Sequence, residues 1–463
     1  MKKYIIAIGM ALWLLTYNSI FAFSAPVTDD ISTSSDESMS EDLDIITTNE
    51  IANWPTGPEL NAKAAVLIEA NTGVVLYAKN MHKHMYPAST TKLMTALIAA
   101  ENSDMNEDVS FSYDAVFSLE PGSSNIGIDP GQSMPMRECL YGIMVGSANE
   151  VSNAIAEHVA GSIDGFADMM NAKVKSLGLN DTHFTNPNGL HNEDHYTSAY
   201  DLAIIAREFF KNDELRIIGN TPNHHFEATS TQPDDFYVRN KHQLINKDTY
   251  YEGVIGGKTG YTSVANECLV TGVEKEGIQL ICVIMGENSP EQFSDTVKLF
   301  DYGYSNFIRV NVSENETSFL VGSLNIFPTS TDILGNSKQL LQINKDDYII
   351  MPINITFKDL ERLAEYDTGN KDEIVHIKYS YHDAYLGYGK VIVNDDINVT
   401  SPFDSSLIEE KEIKESTKIT PVFINLKIVF GIIAGLTFFV ILIVYGALFL
   451  VNYNHGSRRR RRR

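Results

Sequence analysis

Cysteine is scarce in this chain: Cys139, Cys268 and Cys282 are the only three in 463 residues. An odd count without close spacing excludes a disulfide framework and a cysteine-built zinc site. Cys268 and Cys282 lie in apolar runs and read as small buried hydrophobes, which leaves a cross-strand pairing open. The His-Glu-x-x-His pattern of helix-borne zinc peptidases is missing as well. His191 and His195 have a ligand-like spacing, but they follow Asn-Pro-Asn-Gly at 186–189, a turn sequence rather than a helix. Positive charge is short too. The formal net charge is −24, and so acidic a surface repels nucleic acid and suits an ectodomain kept soluble by charge. No internal repeat is present.

The two ends carry targeting signals. Lys2 and Lys3 precede an apolar stretch at 4–15, and small residues follow at Ala22, Ser24 and Ala25. That order describes a cleaved secretory signal over 1–25. A stretch at 26–58, rich in Ser, Thr, Asp and Glu, reads as an acidic disordered leader. Residues 428–451 form an uncharged apolar run long enough to cross a bilayer as a helix. Arg458 to Arg463 follow it, and positive charge beside a spanning helix marks the cytoplasmic side. The expected layout is a single-pass membrane protein with its body outside the cytoplasm. A polar connector at 399–427 and a basic cytoplasmic tail at 452–463 flank the span.

Between the ends the patterning changes repeatedly. Apolar runs at 64–69 and 74–79 flank Asn71, Thr72 and Gly73 and predict a hairpin. Leu93, Met94, Leu97 and Ile98 recur at helical spacing, with Pro87 and Ser89 marking the helix start. Residues 136–212 predict helices broken near Ser147, Gly161 and the 186–189 turn, the last helix capped by Thr197 or Ser198. Strand patterning returns at 254–262, then at 268–273 and 278–285, which flank Glu-Lys-Glu-Gly as a second hairpin. Residues 290–307 predict a closing helix. This succession describes an α+β domain rather than a doubly wound sheet. Alternating runs over 309–398 predict a separate small β-rich domain.

Three short motifs carry chemistry. Ser89 and Lys92, three apart at the front of a helix, share one face within contact reach. A serine hydroxyl is a poor nucleophile until a base takes its proton, and lysine can be that base if burial and nearby positive charge lower its pKa. The helix N-terminus adds a backbone N–H to steady an oxyanion. Ser147-Ala148-Asn149 lies in a turn between helical stretches, where Ser147 can relay a proton and the Asn149 amide can hold a peptide. Helix capping accounts for the same two residues more simply. Lys258-Thr259-Gly260 lies on a glycine-bearing strand. Lys258 and Thr259 suit a substrate carboxylate there, and Gly260 lets a ligand approach the backbone; a solvated strand edge is the plainer account. Each motif is weak alone. In this order and on these element types they form the set used by serine β-lactamases and penicillin-binding proteins.

These motifs are joined by His-Phe-Thr-Asn-Pro-Asn-Gly-Leu at 183–190, His-Tyr-Thr-Ser-Ala-Tyr-Asp-Leu-Ala at 195–203 and Gly-Gly-Lys-Thr-Gly-Tyr-Thr at 256–262. On them the chain resembles the serine-type D-alanyl-D-alanine carboxypeptidases of peptidase family S11, the low-molecular-mass penicillin-binding proteins. The resemblance implies a β-lactamase/transpeptidase-like domain over 59–308, an antiparallel sheet flanked by helices, and more loosely the β-rich domain over 309–398. It implies that Ser89 is the acyl-ester nucleophile, Lys92 its proton acceptor and Ser147 a proton relay between Lys92 and the departing D-alanine. Asn149, Lys258, Thr259 and Gly260 would hold the substrate, and the backbone N–H groups of Ser89 and Tyr261 would form the oxyanion hole. The implied substrate is the peptidoglycan pentapeptide, the implied inhibitors are β-lactams and the implied location is the bacterial cell membrane, with no cofactor or metal. Ala148 stands where many relatives carry glycine, and Gln292 where many place an arginine for the substrate carboxylate. A serine β-lactamase, a D,D-endopeptidase and a non-catalytic wall-binding protein are the alternatives. The first needs a glutamate-activated water, for which Glu193 is the candidate.

Overall fold

Apolar residues occupy both faces of the first hairpin, β1 (Ala64–Glu69) and β2 (Val75–Lys79), in the computed structural model. The structure describes residues 46–316 and 341–393, except 367 and 369–372. The expected signal, the leader as far as 45, the connector, the spanning segment and the basic tail lie outside the described residues. Among the described residues no helix is long and apolar enough to cross a membrane. Along β1, Ala64, Val66 and Ile68 enter one core while Ala65 and Leu67 enter another, because successive side chains point to opposite faces of a strand.

A short 3-10 turn, Ala88–Thr91, leads into helix α1 (Lys92–Asn102), which is buried from Lys92 to Ala99. A helix covered all round belongs in a core, and this one runs through the centre of the helical lobe. The ribbon β3 (Asp108–Ser110) with β4 (Ser133–Pro135) precedes α2 (Met136–Met144), α3 (Asn149–Ala160), α4 (Ile163–Ser176) and α5 (Ala199–Lys211). Ser198 caps α5, its side chain accepting from the Asp201 N–H. A second ribbon, β5 (Asn223–Phe226) with β6 (Phe236–Arg239), leads to β7 (Val254–Thr262), β8 (Asn266–Lys275), β9 (Ile278–Glu287) and the closing helix α6 (Glu291–Asn306). The main sheet runs β2-β1-β9-β8-β7, with antiparallel neighbours throughout. Residues of α1 to α5 share a core with Val66, Val270 and Ile281 on one face. Phe293 and Phe300 of α6 pack with Leu67, Leu269 and Ile284 on the other.

Order begins earlier than composition suggests. Ile46 bridges to Lys79, and buried Trp54 donates through Nε1 to the Leu76 carbonyl at 3.0 Å. The leader expected through 58 therefore gives way to packed structure at 46, because a few apolar residues among the acidic ones cover the outer sheet face. The β-rich segment is present as β10 (Phe307–Asn311), β11 (Leu341–Ile343), β12 (Tyr348–Pro352), β13 (Glu361–Glu365), β14 (Glu373–Tyr381) and β15 (Ala384–Val393). β10 pairs with β12, and the others form a four-stranded sheet, β11-β15-β14-β13. Ile349, Ile377, Tyr379 and Leu386 join Leu67, Leu280 and Phe300 in one core, so the expected boundary at 308 is no break in packing. All three cysteines are buried and free. Cys268 and Cys282 stand opposite Met285 and Thr271 in register and enter different cores, so the sheet itself separates their sulfurs.

At the end of β9, Glu287 is buried against Asp295 of α6. Burial foremost, and then that carboxylate, push its pKa up to about 7, against the Asn288 N–H that it accepts. Asp295 accepts the Asn61 N–H at 3.3 Å and the Lys298 ammonium at 2.7 Å. A carboxyl with a raised folded pKa favours the fold at low pH; the contribution is lost as pH climbs from the ordinary carboxylate range to about 7. Glu287→Gln keeps the shape and a donor. It is expected to flatten the decline of melting temperature across that window, and a slope equal to wild type would refute the assignment.

Candidate active site

Three separate segments meet around one amine. Lys92, the first residue of α1, is fully buried, while Ser89 on the preceding 3-10 turn stays partly open to solvent. The Lys92 Nζ lies 3.0 Å from Ser89 Oγ, 2.7 Å from Asn149 Oδ1 and 2.6 Å from the Asn188 carbonyl oxygen. A neutral amine has two hydrogens and one lone pair. The amide and carbonyl oxygens can only accept, so they take the hydrogens and leave the lone pair facing the Ser89 hydroxyl. Burial foremost, then the charges of Lys258 and Lys241, hold Lys92 well below its ordinary pKa; Glu150 pulls the other way. This is the geometry of a general base, and the lowered basicity favours the neutral amine that such a base needs.

The second motif engages a different lysine. Ser147 Oγ accepts from Lys258 Nζ at 3.0 Å, and Lys258 also donates to the Thr259 carbonyl at 2.9 Å. Burial, reinforced by Lys241, brings Lys258 down to about 7. The Ser147 hydroxyl, in a turn held at φ +59°, thus has Lys258 of β7 as its hydrogen-bond partner. The capping account of this motif fails. Ala148 is the cap position of α3 and makes no side-chain bond, while the Asn149 oxygen is committed to Lys92. Asn149 Nδ2 makes no hydrogen bond to the described residues, so the amide can still donate to a ligand.

β7 is the edge of the sheet, and an edge strand leaves alternate backbone groups unpaired. It carries Lys258 and Gly260 buried, Thr259 half-buried and Tyr261 63% exposed. Gly260 has a packing role beside the expected ligand approach. A Cβ there would stand 2.9 Å from the Pro87 oxygen and 3.0 Å from the nitrogens of Ser89 and Thr90, so glycine admits the turn that carries Ser89. Ala88 and Ser147, at φ +48° and +59°, are both held in the left-handed region, at a cost of about 1–3 kcal/mol each. One of the two directly precedes Ser89, and the other carries the hydroxyl that meets Lys258.

Sequence reasoning missed several contributors. The Asn188 carbonyl belongs to a recognised turn, but nothing in the turn's composition says that its oxygen meets Lys92. Lys241, in an ordinary polar run after β6, reaches Ser124 Oγ at 3.2 Å; the Ser124 carbonyl accepts the Asn149 N–H at 2.9 Å. Glu150 braces that rim, accepting the N–H groups of Ile126 and Gly127 at 2.6 and 3.3 Å. Glu193 is exposed on its loop. His191 lies edge-on to Tyr86, whereas buried His195 contacts Thr91, so the two rings do different jobs. Gln292 is buried at the start of α6 and its Oε1 has no partner among the described residues. Gly260→Ala is expected to displace the Ser89 turn. Acylation of Ser89 by an activated ester should slow at least about tenfold with the circular dichroism spectrum unchanged. Acylation at the wild-type rate would show that the turn yields without consequence.

The family model described as D-alanyl-D-alanine carboxypeptidase, Peptidase S11, matches residues 51–289. D-alanyl-D-alanine carboxypeptidase DacF of Bacillus subtilis (strain 168) is 39% identical over 252 residues, 53% of this chain. The match spans 63% of that protein's own length, just under two thirds. The crystal structure of the Streptomyces K15 DD-transpeptidase superposes with a TM-score of 0.51 at 27% identity, covering 54% of this chain and 99% of that one. That of the D-alanyl-D-alanine carboxypeptidase DacD from Francisella tularensis, at 22% identity and a TM-score of 0.55, shares the fold over 73% of this chain and 94% of its own. The motifs, their convergence and the family match agree: the chain belongs to the S11 family of D-alanyl-D-alanine carboxypeptidases.

Proposed function

We propose that this protein removes the terminal D-alanine from peptidoglycan stem peptides through a Ser89 acyl-enzyme. The observation that carries the reading is the Lys92 amine, hydrogen-bonded to two obligate acceptors and 3.0 Å from Ser89 Oγ. Ser89 Oγ attacks the carbonyl carbon between the two terminal D-alanines, and its proton passes to Lys92 Nζ. The oxyanion is steadied by the backbone N–H groups of Ser89 and Tyr261. The C–N bond then breaks. The departing amine takes a proton from Ser147, which Lys258 replenishes, a task suited to a group that titrates near neutrality. Asn149 Nδ2 and the β7 edge at Thr259 and Tyr261 hold the peptide. Water attacks the ester carbonyl, its proton passes through Ser147 to the Lys258 amine left neutral by the first half-reaction, and the ester C–O bond breaks as Lys92 returns its proton to Ser89 Oγ.

The same site would take up β-lactams, whose strained amide acylates Ser89 in the same way and leaves slowly. The layout proposed from the sequence places this chemistry outside the cytoplasm, with export directed by 1–25 and anchorage by 428–451. The identical reaction with an amine acceptor in place of water would be transpeptidation, and its balance with hydrolysis is read by product analysis.

Wild-type protein is expected to bind fluorescent penicillin covalently and to release D-alanine from a D-Ala-D-Ala peptide, and Ser89→Ala should do neither. Labelling that survives Ser89→Ala sinks the assignment. Rapid turnover of a chromogenic cephalosporin would instead favour a β-lactamase. A second outcome tests the electrostatics. The Lys241 charge lowers both cleft lysines, so Lys241→Ala should raise their pKa values and keep the base protonated to higher pH. The acidic limb of the acylation profile should then move to higher pH, and an unmoved or acid-shifted limb would contradict the mechanism.

A further inference from the structure

Behind the nucleophile runs a chain of hydrogen bonds that the acyl-transfer steps leave unused. Ala88 bears a side chain yet sits at φ +48°. Its carbonyl accepts from Thr91 Oγ1 at 2.8 Å. A hydroxyl has one proton, so toward His195 Nε2, 2.9 Å away, Thr91 acts as acceptor. His195 Nδ1 in turn accepts the Thr185 N–H at 3.0 Å, which independently places the ring proton on Nε2. Ala88, Thr91 and His195 are all buried. Burial, helped by His183 and Lys92, brings His195 down to about 3, so the ring stays neutral and the direction of the chain does not invert.

The Ala88 carbonyl and the Ser89 N–H belong to one planar trans peptide and point in opposite directions. Fixing the oxygen toward Thr91 therefore fixes where the Ser89 N–H points. On that side lies the β7 edge, where a Cβ on Gly260 would stand 3.0 Å from the Ser89 nitrogen. On the opposite side Gly189 seats directly on the pinned carbonyl, a Cβ there falling 1.9 Å from the Ala88 oxygen. Without the Thr91 bond, relaxation of Ala88 toward ordinary φ would rotate this peptide and carry the N–H with it.

We propose that Thr91 and His195 are positioning residues that hold the Ala88–Ser89 peptide in its left-handed conformation and so keep the Ser89 N–H aimed as an oxyanion donor. The proposal rests on the acyl-transfer reading of Ser89. Thr91→Val keeps the shape and removes the donor, whereas Thr91→Ser keeps both the donor and the acceptor. The measurements are the penicillin acylation rate, kcat and KM for D-alanine release, and the melting temperature. Thr91→Val is expected to lose about 100-fold in acylation and kcat, as when an oxyanion donor is removed, with KM within about threefold. Thr91→Ser should stay within about threefold of wild type in both. Val acting at the wild-type rate, Ser falling as far as Val, or a loss confined to KM would overturn the proposal. If Thr91→Val does not fold, His195→Gln, which retains a donor, compared with His195→Leu poses the same question, and equal rates for these two overturn it. A wild-type protein that neither labels nor releases D-alanine removes the acyl-transfer reading itself, whatever the variants do.

Discussion

A buried lysine must either shed its proton or find partners enough to keep it, and two of them within one cleft sharpen the choice. Lys92 and Lys258 are both buried, and the charge of Lys258 is a leading cause, after burial, of the depressed basicity of Lys92. Much of the surrounding architecture supplies acceptors to that amine from distant parts of the chain: Asn149 at the start of α3 and Asn188 in the turn after α4. An unmatched buried polar group costs about 1–3 kcal/mol, so these acceptors are themselves fastened. Asn188 Nδ2 donates to Asn153 at 2.9 Å, and the Pro187 carbonyl accepts from Thr95 on α1 at 2.6 Å. These bonds tie α1, α3 and the turn after α4 together around the Lys92 amine.

Strain is concentrated where the site needs unusual directions. Ala88 and Ser147 both adopt backbone angles that a side chain disfavours, and each is held by close packing on either side. Gly189 and Gly260 approach the Ser89 turn so closely that no side chain fits at either, and Gly146, beside Ser147, lies where a Cβ would stand 2.5 Å from Ile126. Interiors packed this tightly deform little, which is what a small set of directed groups requires in order to keep its geometry between turnovers.

What could be read from the sequence was what is local or periodic. The first hairpin, the central helix behind Ser89, the helical middle and the β8–β9 hairpin all follow from apolar spacing and turn residues, and the three motifs fell on the element types expected of them. The 3-10 turn beneath Ser89 and the two short ribbons carry too few residues to declare a period. The misreadings share a cause. The contact of Asn188 with Lys92 spans 96 positions and that of Ser147 with Lys258 spans 111, so which lysine each meets is a property of the folded chain alone. Likewise, Trp54 in an acidic stretch reads as leader until the sheet supplies a surface for it. The β-rich segment reads as separate until its inward residues are seen to meet the same core.

That shared core bears on what a minimal enzyme would be. The family match ends at residue 289, which invites trimming of everything downstream of α6. Yet Val312, Ile349, Ile377 and Leu386 help to close the outer side of the sheet whose edge carries Lys258. A fragment stopped at 308 would leave that side wet and oily at once, inclined to self-associate before it could be assayed. The catalytic half has a roof it does not own.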